Sequence, residues 1–235
     1  MWSIDVVYRW QDVPDDVSKR SVLVIDTLRA TTTLTTILDR GAAKVLTCAS
    51  LDEAFHYKRQ DPALILGGER HNQPVPGFDA GNSPFDYPPD LVEGRSVILT
   101  TTNGTQAVSR VQRAAWVGLA CLLNAASAAR RQQMQNFDAL VVCAGTVGEV
   151  SWEDVLTAGA VINEWPERDW TDAARLAWTA FAANQTQIAQ SVMQSRHAQH
   201  LLVSGMQRDV AYAARMNQSS TVPVRGPDGW FYHNV

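Results

Sequence analysis

Uninterrupted apolar runs alternate with segments of helical character along the first two thirds of the chain. "SVLVID" (Ser21–Asp26), "AKVLTC", "ALILG", "RSVILTTT", "AWVGLACLL" and "DALVVCAG" are such runs. A strand with one wet face alternates apolar and polar residues, whereas a continuous apolar run suits a strand covered on both faces. Between the runs lie "TTTLTTILDRGA" with a stop at Gly41, "SLDEAFHYKRQ", "NGTQAVSRVQRA", "NAASAARRQQMQ" capped by Asn124, and "SWEDVLTAGAVIN". Ser50 with Glu53, and Ser151 with Asp154, read as capping boxes that open helices. Strand–helix alternation of this kind predicts an α/β fold: a three-layer α/β/α sandwich around a mostly parallel sheet. From Thr171 to about Asn217 the chain reads as helical, with a break at Gly205. The tail "TVPVRGPDGWFYHNV" holds a Pro-Asp-Gly turn between two short strand-like pieces, expected over 221–235 at a sheet edge. No linker interrupts the pattern, so residues 1–235 read as one domain.

Composition narrows the function. The 235 residues are 46% hydrophobic and 19% charged, as in an ordinary globular protein. No apolar run approaches the roughly 18 residues of a membrane span. The N-terminus lacks the basic-then-apolar pattern of a secretory signal, which points to the cytoplasm. The net charge of -4 and the absence of a basic patch interleaved with aromatics argue against nucleic acid. Cys48, Cys121 and Cys143 are odd in number and widely spaced, so they read as buried free thiols. Cys143 draws notice because a Gly-rich loop follows it. The Trp-bearing helices after Thr171 either complete the core or form the interface of a homo-oligomer.

In open parallel sheets, ligands bind at the carboxyl ends of the strands, and polar residues crowd those ends here. "DTLRATTT" places Asp26 at a strand end, Arg29 in the turn, and Thr31, Thr32 and Thr33 at a helix start. Helix-start amides and an arginine fork suit an anion. A carboxylate beside them would repel that anion unless a cation lay between, so Asp26 reads as a metal ligand; a plain helix cap is the alternative. "TTNGT" (Thr101, Thr102, Asn103, Gly104, Thr105) reads as a second phosphate cradle or an ordinary turn. It is not a Walker A loop, since GxxxxGK[ST] is absent. In "AGTVGEVSWED", Gly145 belongs to a Gly-rich loop, and Asp154 is either a capping partner or a third acidic group. Glu69 sits at its strand exit as Asp26 does, and two such carboxylates can share one Mg²⁺ with a phosphate. "GFDAGNSP" adds Asp79 and Asn82. His71 reads as a solvated loop residue or a general acid. His197 and His200, at i and i+3, lack the HExxH context of a zinc site.

The blocks "VLVIDTLRATTTLTT", "GGERHNQPVPGFDAGNSP", "TTNGTQAV", "CAGTVGEVSWEDVLTAGAVI" and "HLLVSGMQRDV…VPV" together resemble the 2-phosphosulfolactate phosphatase family of coenzyme M biosynthesis, in order and over nearly the whole chain. The resemblance implies a Mg²⁺-dependent phosphatase that converts 2-phosphosulfolactate to sulfolactate and phosphate. It also implies an α/β/α fold distinct from the haloacid-dehalogenase phosphatases. Their DxDx[TV] motif is missing here, since Leu28 stands where the second Asp would be. It implies a site containing Asp26, Arg29, Thr31 to Thr33, Glu69, Asp79, Asn82 and Thr102 to Thr105. The expected mechanism has Asp26 and Glu69, with Asp154 or Asp79, holding the metal while a remaining carboxylate activates water. Two other readings stand beside it: a phosphatase or lyase acting on another small phosphorylated acid, and a non-catalytic module that binds an anionic metabolite. The second would keep the cradles but not all four acids, and Asp26, Glu69, Asp79 and Asp154 are all present. His71-Asn72-Gln73 departs from the more Gly-rich, basic loop expected there.

Overall fold

The computed structural model describes residues 3–70, 73–165 and 169–233. In chain order the elements are β1 (Ile4–Val7), β2 (Arg20–Ile25), α1 (Ala30–Asp39), β3 (Lys44–Thr47), α2 (Leu51–Gln60), β4 (Ile65–Arg70), β5 (Gln73–Pro74), α3 (Pro89–Val92), β6 (Ser96–Thr100), α4 (Gly104–Arg110), β7 (Trp116–Ala120), α5 (Ala125–Gln133), β8 (Asp138–Cys143), α6 (Trp152–Ile162), α7 (Asp172–Asn184), α8 (Ile188–Met193), α9 (Arg196–Val203), α10 (Gln207–Ala213), β9 (Pro223–Arg225) and β10 (Phe231–His233). His71 lies outside the described residues.

The strands form one sheet in the order β1-β8-β2-β7-β9-β10-β3-β6-β4-β5. Two blocks are parallel: β1, β8, β2 and β7 in one, and β3, β6 and β4 in the other. Apolar side chains alternate between faces on these strands, and both faces are covered. On β2, Leu23 and Ile25 join a core with α5, α6 and the C-terminal helices. Val22 and Val24 join a second core with Leu34, Ile37 and Leu38 of α1 and Ala107 and Val108 of α4. The second block shares that middle core through Val45, Val97 and Ile65. It buries Leu66 and Ile98 against Ala54 of α2 on its other side. Helices on both faces make the three layers that the apolar runs imply.

The tail departs from expectation. The β9–β10 hairpin lies in the middle of the sheet, not at an edge, and joins the two parallel blocks. Its outer contacts are narrow: Gly118 of β7 pairs with Val224, and Val45 of β3 pairs with Phe231, which is fully buried. Pro223 suggests an edge, because proline cannot donate to a ladder. Here it opens β9 opposite His233, at the end of the hairpin, where its missing donor matters least.

The expected helical segment is α7 to α10, with Gly205 at φ +80° between α9 and α10. The rings of Trp170 and Trp178 pack at 5.6 Å. Ser50 accepts from Glu53 N–H as a cap. Ser151 makes no side-chain cap for α6. The Asn124 side chain does not cap α5; its Oδ1 accepts from Cys121 N–H, closing a capping box on the preceding 3-10 turn Leu122–Asn124, and its Nδ2 donates to Thr221 O in the tail. No helix among the described residues is long and apolar enough to cross a membrane.

Candidate active site

Residues following β2, β4, β6 and β8 meet residues of α9 and α10 at a pair of adjoining hollows. The inner one, about 120 Å³, is lined by Asp26, Arg29, Glu69, Asn82, Thr101 to Asn103, Thr146 and His197, among others. The neighbouring one, about 310 Å³, shares Arg29, Glu69 and Asn82 and adds Ser83, Arg208 and Asp209. Asp26 and Glu69, from different blocks of the sheet, therefore face one space.

Asp26 directly follows β2, four residues before α1 opens at Ala30. Its backbone carbonyl accepts from the Thr31 N–H and hydroxyl, and its Oδ1 accepts from Ala30 N–H at 3.3 Å. Burial pushes its carboxyl up to about 6; Glu153 and Glu69 add to the rise, and His197 and the Ala30 amide oppose it. Gly104 opens α4 directly opposite. A Cβ placed there would lie 2.8 Å from Asp26 Oδ2 and 2.6 Å from Ala30 Cβ, so only glycine lets the two helix starts approach this closely.

Glu69 reaches across from β4, and its Oε1 accepts from both the amide and the hydroxyl of Thr102 at 3.0 Å. Gly68 precedes it at φ +133°, with space for a Cβ occupied by Thr100 O at 1.9 Å. Its N–H donates to Ala80 O and Gly81 O, which folds the "GFDAGNSP" loop back along β4. That loop delivers Asn82, whose carbonyl accepts from the Thr33 hydroxyl at 2.9 Å. Asn82 Oδ1 is buried with no hydrogen-bond donor among the described residues. Arg29, also buried, pairs through Nη1 with Asp209 Oδ2 at 2.8 Å. Asp209 Oδ1 accepts from the Ser83 hydroxyl at 2.8 Å. The α10 carboxylate thus fixes both the arginine and the loop.

Several expected site residues have other employment. The hydroxyls of Thr31, Thr32 and Thr33 donate to the carbonyls of Asp26, Thr27 and Asn82. The first amides of α1 are already bonded to Asp26, so this helix start is no open anion cradle. The Thr105 hydroxyl back-bonds to Thr101 O. Gly145 gives its N–H to Asp154 Oδ2, and Asp154 Oδ1 accepts from Thr27 N–H. Asp154 is therefore a clamp between the ends of β2 and β8; it lines neither hollow, and Ser151 makes no side-chain cap with it. Burial, with Glu153 and Asp26 nearby, raises its carboxyl well above the ordinary carboxylate range. Asp79 is exposed and lies beside Leu66, three residues before Glu69 on β4. Its Oδ2 accepts from Leu66 N–H at 2.9 Å and Lys58 Nζ at 3.1 Å, so it pins the loop and stands outside both hollows. Cys143 is fully buried, and burial pushes its thiol well above the usual range, as suits an inert core residue.

Sequence reasoning assigned no role to Ser83, Glu153, Arg208 or Asp209, and considered His197 and His200 only as a zinc pair. His197, His200, Arg208 and Asp209 lie far along the chain from the strand exits, and no local pattern ties them to those exits, whereas Ser83 adjoins Asn82 and Glu153 adjoins Asp154 within segments that the sequence singles out.

The donor set fits a magnesium ion. Asp26 and Glu69 are hard oxygen donors lining one hollow, and Asn82 lines it with its Oδ1 buried and without a donor among the described residues; Mg²⁺ is commonly held by one or two carboxylates, with water and phosphate completing the octahedron. Among the described residues no group of three His, Cys, Asp or Glu side chains is arranged as a ready-made metal site.

Residues 8–226 match the family described as 2-phosphosulpholactate phosphatase. Similar proteins include the "Probable 2-phosphosulfolactate phosphatase" of Deinococcus radiodurans, 38% identical over 221 residues, covering 92% of this chain and 91% of that one. The protein of the same name from Thermotoga petrophila is 37% identical over 207 residues, covering 88% and 89%. That of Caldanaerobacter subterraneus subsp. tengcongensis is 34% identical over 213 residues, covering 88% of each chain. With a match running through every strand exit that lines the hollows, the chain belongs to the 2-phosphosulpholactate phosphatase family.

Proposed function

We propose that this protein hydrolyses 2-phosphosulfolactate to sulfolactate and inorganic phosphate with Mg²⁺ as cofactor. The observation that carries the reading is the meeting of Asp26, Glu69, Asn82 and Arg29 at one hollow. A phosphate monoester brings negative charge that must be neutralised before water can attack. Bound Mg²⁺ would supply Lewis-acid polarisation of the phosphoryl group. Asp26, Glu69 and the Asn82 side-chain oxygen would hold it. Arg29, anchored at one nitrogen by Asp209, has donors left for an anionic oxygen. Thr101 and Asn103 line the same space, and the Thr101 hydroxyl is buried without a partner among the described residues. The larger hollow, with Arg208 on its wall, has room for the substrate's other anionic groups, its sulfonate and carboxylate. Direct attack by water is the favoured course. The three buried free thiols suit a reducing compartment such as the cytoplasm.

The test is phosphate release from 2-phosphosulfolactate by purified folded protein, with Mg²⁺ and again with EDTA. Turnover that EDTA abolishes is the expected result. No turnover with Mg²⁺ present would remove the substrate, and a panel of phosphorylated hydroxy acids would then show whether a different one is used. Turnover that persists in EDTA would remove the metal.

A further inference from the structure

We propose that His197, oriented by Glu153, is the proton donor to the departing ester oxygen; the inference rests on the phosphatase reading above. Glu153 lies in the first turn of α6 and His197 in the first turn of α9. His197 Nδ1 is 3.2 Å from Glu153 Oε1, and the Glu153 side chain is only 2% exposed. Glu153 Oε2 is buried with no hydrogen-bond partner among the described residues. A carboxylate removed from water this completely is costly to keep without a charged or donating neighbour, and the imidazole is that neighbour. The Thr146 hydroxyl, 2.7 Å from Ser151 Oγ, approaches Nδ1 from the Gly-rich loop at 3.2 Å.

With Nδ1 turned to the carboxylate, Nε2 is the exchangeable position. No described residue hydrogen-bonds it. His197 is 13% exposed at its side chain and lines the inner hollow beside Asp26 and Glu69. On its other side it lines an outer hollow of about 380 Å³ formed with Val147, Trp152 and Arg196. The ring is thus a partition between the place where an ester would be cleaved and a route to solvent. A carboxylate that holds one imidazole nitrogen fixes the ring's tautomer and aim.

The leaving group gives the imidazole its task. The oxygen of a secondary alkyl ester departs poorly as an alkoxide. In the proposed step His197 starts as the imidazolium, with Nδ1–H on Glu153 and Nε2–H toward the ester. The phosphorus–oxygen ester bond breaks with its electron pair going to the ester oxygen, and the Nε2 proton moves onto that oxygen to form the hydroxyl of the product, leaving the neutral ring with its proton on Nδ1. Water forms the new phosphorus–oxygen bond, and its surplus proton stays on the phosphate. His197 recovers a proton from solvent through the outer hollow.

The test compares two esters. His197→Gln is expected to lower kcat on 2-phosphosulfolactate about 100-fold with KM little changed, while its rate on p-nitrophenyl phosphate, whose phenolate leaves without a proton, falls less than about fivefold. Glu153→Gln reproduces the same selectivity in milder form and carries the test if the histidine variant fails to fold. Equal losses on both esters, or a loss confined to KM, overturn the role of His197 while leaving the phosphatase reading in place. If the wild-type protein ignores the aryl ester, the division of the loss between kcat and KM decides. Release of phosphate from neither ester by the wild-type protein overturns the phosphatase reading, and this inference with it.

Discussion

One wall of the paired hollows comes from the carboxyl ends of β2, β4 and β6 and the loops that follow them, and the other comes from α9 at the inner hollow and α10 at its neighbour. The strand-exit wall presents Asp26, Glu69, Asn82 and Thr101 to Asn103, with most of its supporting hydrogen bonds made within those segments or to the next strand exit. The helical wall works at long range: Asp209 holds Arg29 across 180 residues of sequence, and His197 meets Glu153 from a separate helix. The first wall supplies groups that face a ligand. The second supplies counter-charges that fix how those groups stand, and it adds one ligand-facing ring. A site of this kind separates chemistry from alignment, so damage to each wall should have a different signature.

Three substitutions can break or sharpen that contrast. The largest effect belongs to Asp26→Asn, on the strand-exit wall. It keeps an acceptor for Ala30 N–H and removes a buried charge, so thermal melting should be preserved while phosphate release falls on the order of 1,000-fold. Near-normal turnover would take Asp26 out of the site. Next is Asp209→Ala, on the helical wall. Leaving the buried Arg29 guanidinium alone should destabilise the protein by about 3–5 kcal/mol in denaturant unfolding. A change below about 1 kcal/mol would mean that the pair does not fix the wall. The smallest is Asp79→Asn. Its contact with Lys58 is solvent-exposed, so stability should move by less than about 1 kcal/mol and kcat should hold. A collapse of activity there would bring Asp79 back into the site.

What the sequence discloses follows the same division. Continuous apolar runs exposed the two-faced burial of β2, β6 and β8, because that burial is written into consecutive residues. Asp26, Arg29, Glu69 and Asn82 were legible for a related reason: a strand exit is a local event, and ligands gather at strand exits. The threonines of "RATTT" misled because a hydroxyl at a helix start looks alike whether it awaits an anion or bonds a nearby carbonyl. Asp154 reads as a capping partner because a first-turn acid looks like one, yet its two amide partners belong to Thr27 and Gly145, outside its own helix. Asp79 lies in the right loop, but it aligns with the interior of β4 and not with its end. Asp209 and His197 were hidden because only tertiary packing brings α9 and α10 to the sheet. The tail was misplaced for that reason too: Pro223 and the Pro-Asp-Gly turn describe a hairpin, and nothing local says where a hairpin docks.

The hairpin's docking place bears on how the protein is made. β9 and β10 leave the ribosome after the other strands of this sheet, yet they sit between two blocks assembled from residues made earlier. Until they emerge, β7 and β3 have no neighbour on their inner sides, and two half-sheets with exposed seams must wait on the nascent chain. Strand seams of that kind invite pairing with other chains. Synthesis of this fold therefore passes through an interval, before the hairpin arrives, in which a chaperone that shields those seams would protect the architecture.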